Sequence, residues 1–183
     1  MLDLRDNQGG SSGWSQDIAR NLWGSDAVNA RMGHYFARTR IVWRASAGNE
    51  AHVRGDATVN EQLEGAGMAL PPIVPSEFTA PVYVIVPGQC ASACLDAIDI
   101  FVQFPNTRLI GAPSSGDSKY MEVRTQVLPS GLAQVTIPTK MWVDRPRGHS
   151  VGYRPAITVT TLDWSTDEFL RVIENDLAGG PRN

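Results

Sequence analysis

Residues 87–96 read Pro-Gly-Gln-Cys-Ala-Ser-Ala-Cys-Leu-Asp, and they set one small hydroxyl, Ser92, between two alanines and two cysteines. The run Pro81-Val82-Tyr83-Val84-Ile85-Val86 before them has pure strand character, and Leu95, Ile98, Phe101 and Val102 after them recur at the spacing of a helix's inner face. On the same spacing Asp96, Asp99 and Gln103 fall outward. A serine at this strand-to-helix turn has two readings. The simpler is an N-cap, its oxygen accepting a first-turn N–H. The chemical one is a nucleophile: the first helical turn has unpaired N–H groups and the positive end of the macrodipole, which stabilise the oxyanion formed when the hydroxyl attacks a carbonyl. Ala91 and Ala93 leave room for a substrate backbone.

A second turn bears on that choice. Asp6-Asn7-Gln8-Gly9-Gly10 also closes a strand and opens a helix. Two glycines permit backbone angles that turn N–H groups outward and allow close approach of a ligand. Two such turns in one α/β domain, one of them holding an isolated serine, give a nucleophile with an oxyanion hole.

The elements that must position these turns follow from the pattern along the chain. Residues 2–5 read as a strand, and Trp14, Ile18, Leu22 and Trp23 as one helix face ending at Gly24. A shorter helix follows Ser25-Asp26, a capping pair, and residues 40–45 read as a strand. Residues 49–68 carry a faint helical pattern broken by glycines, and 71–81 form a proline-rich loop. After the helix at 91–104 comes a strand at 108–110 and a polar turn at 111–119. The segments 121–127 and 132–137 alternate with period two around Pro129-Ser130-Gly131, a hairpin signal. A strand at 157–159 precedes a last helix from Thr166 with Phe169, Val172 and Ile173 inward. Strands alternating with helices predict a mainly parallel sheet, here with a β-hairpin appendage.

Composition bounds the partners. With 183 residues, a net charge of -3 and a pI near 5.6, the chain has the size of one domain and no electrostatic footprint for nucleic acid. Its apolar runs are strand-sized, so no membrane span is expected, and no signal peptide is evident at Met1-Leu2-Asp3-Leu4-Arg5. Cys90 and Cys94 read as two small buried thiols. Neither they nor the three histidines, His34, His52 and His149, form a metal-ligand pattern, and the histidines read as surface or loop residues. The tryptophans Trp14, Trp23, Trp43, Trp142 and Trp164 read as core and interface packing rather than a stacking cleft.

Taken together, "LDLRDNQGG" at 2–10, "PVYVIVPGQCASACLD" at 81–96 and "LIGAPSSGDSKY" at 109–120 resemble, in order, the signature segments of the C-terminal processing (tail-specific) serine peptidases. "LPSGLAQVTIPTKMW" continues as the β-rich part of many bacterial members. The resemblance implies the Clp-protease/crotonase-like α/β superhelix. It implies Ser92 as nucleophile, with the Ala93 N–H and the Gly9-Gly10 turn, Gly10 preferred, as the oxyanion hole. It implies peptide or protein substrates and no metal or organic cofactor. A periplasmic or secreted setting is the family's habit.

The resemblance fails at the base. Lysine-dyad members carry Lys directly after the glycine of their Gly-x-x-Thr-x-Gly segment; here that place is Asp117, and Lys119 stands two residues on, with Asp117 and Glu122 around it. Lys119 is thus a weak base candidate and reads more simply as a solvated lysine. Tyr153-Arg154-Pro155-Ala156-Ile157 matches the segment in which other members carry acids, with Arg154 and Ala156 in their places. Residues 1–183 are therefore expected to be one catalytic-core domain lacking its N-terminal part, and with it the base. Surface bared by that missing part would favour self-association. The competing expectations are an inactive peptide-binding or assembly module of the same fold, and an esterase on the same scaffold.

Overall fold

The computed structural model describes residues 1–44, 59–63 and 70–179. By contact the chain divides into two compact units: Met1–Gln16, Phe78–Ser115 and Gly152–Asn183 form the first, and Asp17–Glu77 and Gly116–Val151 the second.

The first unit is built on a parallel sheet of order β1-β4-β5-β8, with β1 at Leu2–Asp3, β4 at Val82–Val86, β5 at Thr107–Gly111 and β8 at Ile157–Thr158. All five residues of β4 are buried, as an unbroken apolar run at the centre of a parallel sheet requires. Helix α3, Ala93–Phe101, follows β4, and α4, Thr166–Ala178, closes the unit. Tyr83, Ile85, Ile110, Val159, Phe169 and Ile173 form a core cluster between sheet and α4, with Val172 packed beside it. Each such buried aliphatic side chain contributes roughly 1.5–3 kcal/mol. At the cluster's edge the Tyr83 hydroxyl donates to Asp176 at 2.6 Å, and Arg108 pairs with the same carboxylate. Burial, and then the hydrogen bond to Asp176, push the Tyr83 phenol above its ordinary pKa.

The second unit holds most of α1, Gly13–Trp23, and α2, Ser25–Tyr35, with an antiparallel sheet of order β3-β2-β7-β6. Its strands are β2 (Arg40–Arg44), β3 (Val59–Leu63), β6 (Tyr120–Val127) and β7 (Gln134–Val143). The expected β6–β7 hairpin is present, its turn closed by Gly131 N–H to Leu128 O at 2.8 Å with Gly131 at φ 72°.

Several expectations are corrected. The strand at 40–45 does not join the parallel sheet. It pairs antiparallel with β7, Ile41 opposite Trp142, so the appendage is a four-stranded sheet. β2 has an arginine at each end of its sequence, unlike the wholly apolar β4. Val59–Leu63, expected as helix, is a strand paired with β2, and the rest of 49–68 lies outside the described residues. The cap of α2 is Gly24, not the Ser25-Asp26 pair. On α3, Asp99 is only 1% exposed and accepts a hydrogen bond from the Tyr153 hydroxyl, while Val102 is exposed. This helix is enclosed on nearly every side, so helical spacing did not separate an inner from an outer face.

Candidate active site

β4 delivers the chain to a turn at the carboxyl edge of the parallel sheet, the usual location of sites in α/β proteins. Cys90 N–H donates to Pro87 O at 3.2 Å, and Cys94 N–H to Ala91 O at 3.1 Å as α3 begins. Ser92 occupies the N-cap position at φ 54°, ψ −125°, a conformation that L-residues rarely adopt. It makes no side-chain capping bond, so the N-cap reading of its hydroxyl is not met. A sharp, strained strand-to-helix turn is the device that lifts a nucleophilic serine off the top of an α/β sheet. Ser92 is half-buried and Ala93 is buried at the first helical position, where a backbone N–H has no intrahelical partner.

The glycine turn lies against this serine. Leu4 N–H donates to Ile85 O at 3.3 Å, which continues β1 along β4, and Asn7 N–H returns to Leu4 O at 3.0 Å. The chain then passes Gly9 and Gly10 at φ 121° and 113°. A Cβ on Gly9 would lie 3.2 Å from Ser92 Cβ, 3.6 Å from its Oγ and 3.7 Å from Ala91 O, so only a glycine backbone fits here without displacement. A Cβ on Gly10 would meet nothing within 4 Å. The Gly9 N–H donates to Asn7 Oδ1 at 3.0 Å in an Asx-turn.

Arg5, the arginine of the Leu-Asp-Leu-Arg segment, secures the end of β1. It pairs with Asp3, donates to Trp164 O and to Thr166 Oγ1 (2.9 Å), and lies 5.4 Å from the Phe169 ring centre. The Arg5 hydrogen bond holds the Asp3 carboxyl below its ordinary pKa.

Two supports escaped the sequence reading. Ser115 Oγ donates to Cys90 O, tying the segment after β5 to the serine turn. Tyr153 N–H donates to Ser114 Oγ at 2.7 Å while Ser114 N–H donates to Tyr153 O at 2.9 Å, so the Tyr-Arg-Pro-Ala-Ile segment braces the same loop. Only a pairing of distant segments reveals either contact.

The reading of Cys90 and Cys94 as two thiols is overturned: they form a disulfide, with Cα atoms 5.4 Å apart and neither residue exposed. Cys90 stands on the turn outside α3, and the tight bend brings its Cα within bonding range of the helix's second residue.

Lys119 belongs to the second unit. It is exposed just before β6, its ammonium 5.7 Å from the Tyr120 ring centre, and its N–H donates to His149 Nδ1 at 3.2 Å. The His34 imidazole bonds Pro71 O at 2.9 Å, and His52 lies outside the described residues. Trp23 is buried, Trp142 stacks on Phe36 at 5.5 Å and Trp164 meets Phe169 edge-on, whereas Trp14 is 77% exposed. Among the described residues, no helix is long and apolar enough to cross a membrane.

No protein-family profile matches the chain, and no curated protein matches its sequence. Solved structures do. A protein assigned to the S41 proteases from Bacteroides fragilis NCTC 9343 aligns at a TM-score of 0.54 and 16% identity, over 99% of this chain and 45% of that one. A protein assigned as a peptidase from Parabacteroides merdae ATCC 43184 (19% identity, 96% of this chain, 50% of that one) and the photosystem II D1 C-terminal processing protease (19%, 97% and 39%) each align at 0.48. The chain thus spans half or less of the length of these proteins. The alignment at 0.54, together with the parallel sheet, shows that the chain has the mixed α/β, Clp-protease-like fold of the S41-assigned structure.

Proposed function

We propose that residues 1–183 are catalytic-core sequence of a peptidase of the C-terminal processing type, acting through an acyl-enzyme on Ser92. The observation that carries this reading is Ser92 held at positive φ at the mouth of α3, so near the glycine turn that a Cβ on Gly9 would lie 3.2 Å from the Ser92 Cβ. In the proposed reaction Ser92 Oγ attacks the peptide carbonyl carbon, and the carbonyl oxygen gains negative charge. The N–H groups of Ala93 and Gly10 stabilise that charge, helped by the positive end of α3. Collapse expels the amine and leaves an ester on Ser92, which water then hydrolyses. The attack needs a base to take the hydroxyl proton. Lys119, an exposed residue, is the weak candidate for that role.

The exposure of Lys119 also favours a second reading, in which the same fold binds extended peptide without turnover. Hydrolysis of an activated ester and of an unfolded polypeptide separates the readings. Turnover of both that disappears in Ser92→Ala supports the peptidase. Turnover of the ester alone points to an esterase. Peptide binding with no turnover, unchanged in Ser92→Ala, sinks the nucleophile assignment.

A further inference from the structure

The bridge between Cys90 and Cys94 encloses three residues, Ala91, Ser92 and Ala93, with the strained serine in the middle. A non-glycine residue at positive φ persists only where its surroundings over-determine it. Here three sides are fixed. Gly9 packs against Ser92. The helix takes up the C-terminal side, with Asp96 N–H donating to Ser92 O at 3.0 Å. The N-terminal side hangs on Cys90, whose N–H reaches Pro87 O and whose carbonyl accepts from Ser115 Oγ. The disulfide is the covalent tie between that anchor and the helix, and it denies residues 91–93 most alternative backbone states. Both cysteines are fully enclosed, so the bridge is sheltered from solvent.

We propose that the Cys90–Cys94 disulfide is the positioning element of the candidate site: by closing segment 90–94 it holds Ser92 at positive φ against Gly9 and so sets the reactivity of its hydroxyl. The statement about reactivity rests on the peptidase reading; the statement about backbone conformation does not. Neither cysteine takes part in the chemistry.

The test compares the oxidised chain with a Cys90→Ala/Cys94→Ala double variant, both isotope-labelled. Backbone chemical shifts report the conformation of Ser92, and intact-mass kinetics report its phosphonylation by a fluorophosphonate. The double variant is expected to unfold cooperatively yet to lose the positive-φ shift pattern at Ser92, with phosphonylation slowed at least ~10-fold, in the range that small misplacements cost reacting groups. If that variant fails to fold, Cys90→Val/Cys94→Ala, which refills part of the space left by the sulfurs, supplies the same comparison. Ser92 shifts that stay put once the bridge is gone overturn the proposal, as does an unchanged phosphonylation rate. Shifts that move in a protein whose parent is never phosphonylated uphold the positioning of Ser92 and remove the peptidase reading instead.

Discussion

Ser92 and Ser165 stand at the N-caps of α3 and α4, and they differ in every respect that matters. Ser165 opens α4 at φ −66°, ψ 158°, and its hydroxyl accepts the Glu168 N–H at 3.2 Å. Ser92 opens α3 at φ 54°, ψ −125°, and its hydroxyl caps nothing. The first geometry is the extended backbone of a stabilising cap. The second costs about 1–3 kcal/mol and is held in place by a glycine neighbour, a serine tether and a disulfide. Reinforcement of a strained residue that gives its helix no side-chain cap is the pattern expected of a functional position.

The sharpest break of the comparison is removal of each hydroxyl. Ser92→Ala is expected to lower esterolysis or proteolysis by at least ~10³-fold with the fold retained, read by initial rates and circular dichroism. Next comes the neighbour: Gly9→Ala forces a Cβ to 3.2 Å from Ser92 Cβ at φ 121°, so both Ser92 reactivity and stability fall, the latter by about 1–3 kcal/mol in denaturant titration. Ser165→Ala is the converse, costing about 1 kcal/mol of stability and leaving Ser92 phosphonylation at the parent rate. The smallest effect concerns pH. The Asp163 carboxylate accepts the Ser165 N–H at 2.9 Å, and this backbone hydrogen bond first, with the Ser165 side chain second, holds its pKa below the ordinary value. A carboxyl depressed in the folded state adds stability that is full above its unfolded pKa, about 3.9, and fades as pH falls through the folded value. Asp163→Asn is therefore expected to lose slightly less thermal stability than the parent between about pH 5 and pH 2, with no effect on Ser92.

What the sequence made legible follows the strength of local signals. β4 and its following turn were readable because Val82–Val86 is an unbroken apolar run ending in Pro-Gly, and α4 because Phe169, Val172 and Ile173 keep helical spacing. The hairpin was readable from alternation around Gly131. The partnership of β2 with β7 was not, because a strand's sheet is chosen by residues about a hundred positions away. Asp99 was misjudged for the same reason: spacing marks it as surface, but a tyrosine 54 residues later covers it. At the candidate site, residue types pointed to Ser92 and the Gly9-Gly10 turn, and the family resemblance added Ala93 and the preference for Gly10. They carried no trace of the disulfide, which depends on a bend of the backbone rather than on helical periodicity.

The most direct measurement is peptide mapping by mass spectrometry after exposure of the oxidised chain to a fluorophosphonate. The account predicts a single phosphonyl adduct on the hydroxyl of Ser92, equal in the parent and in Ser165→Ala, and absent from Ser92→Ala. An adduct on another residue, or one that survives in Ser92→Ala, would contradict it.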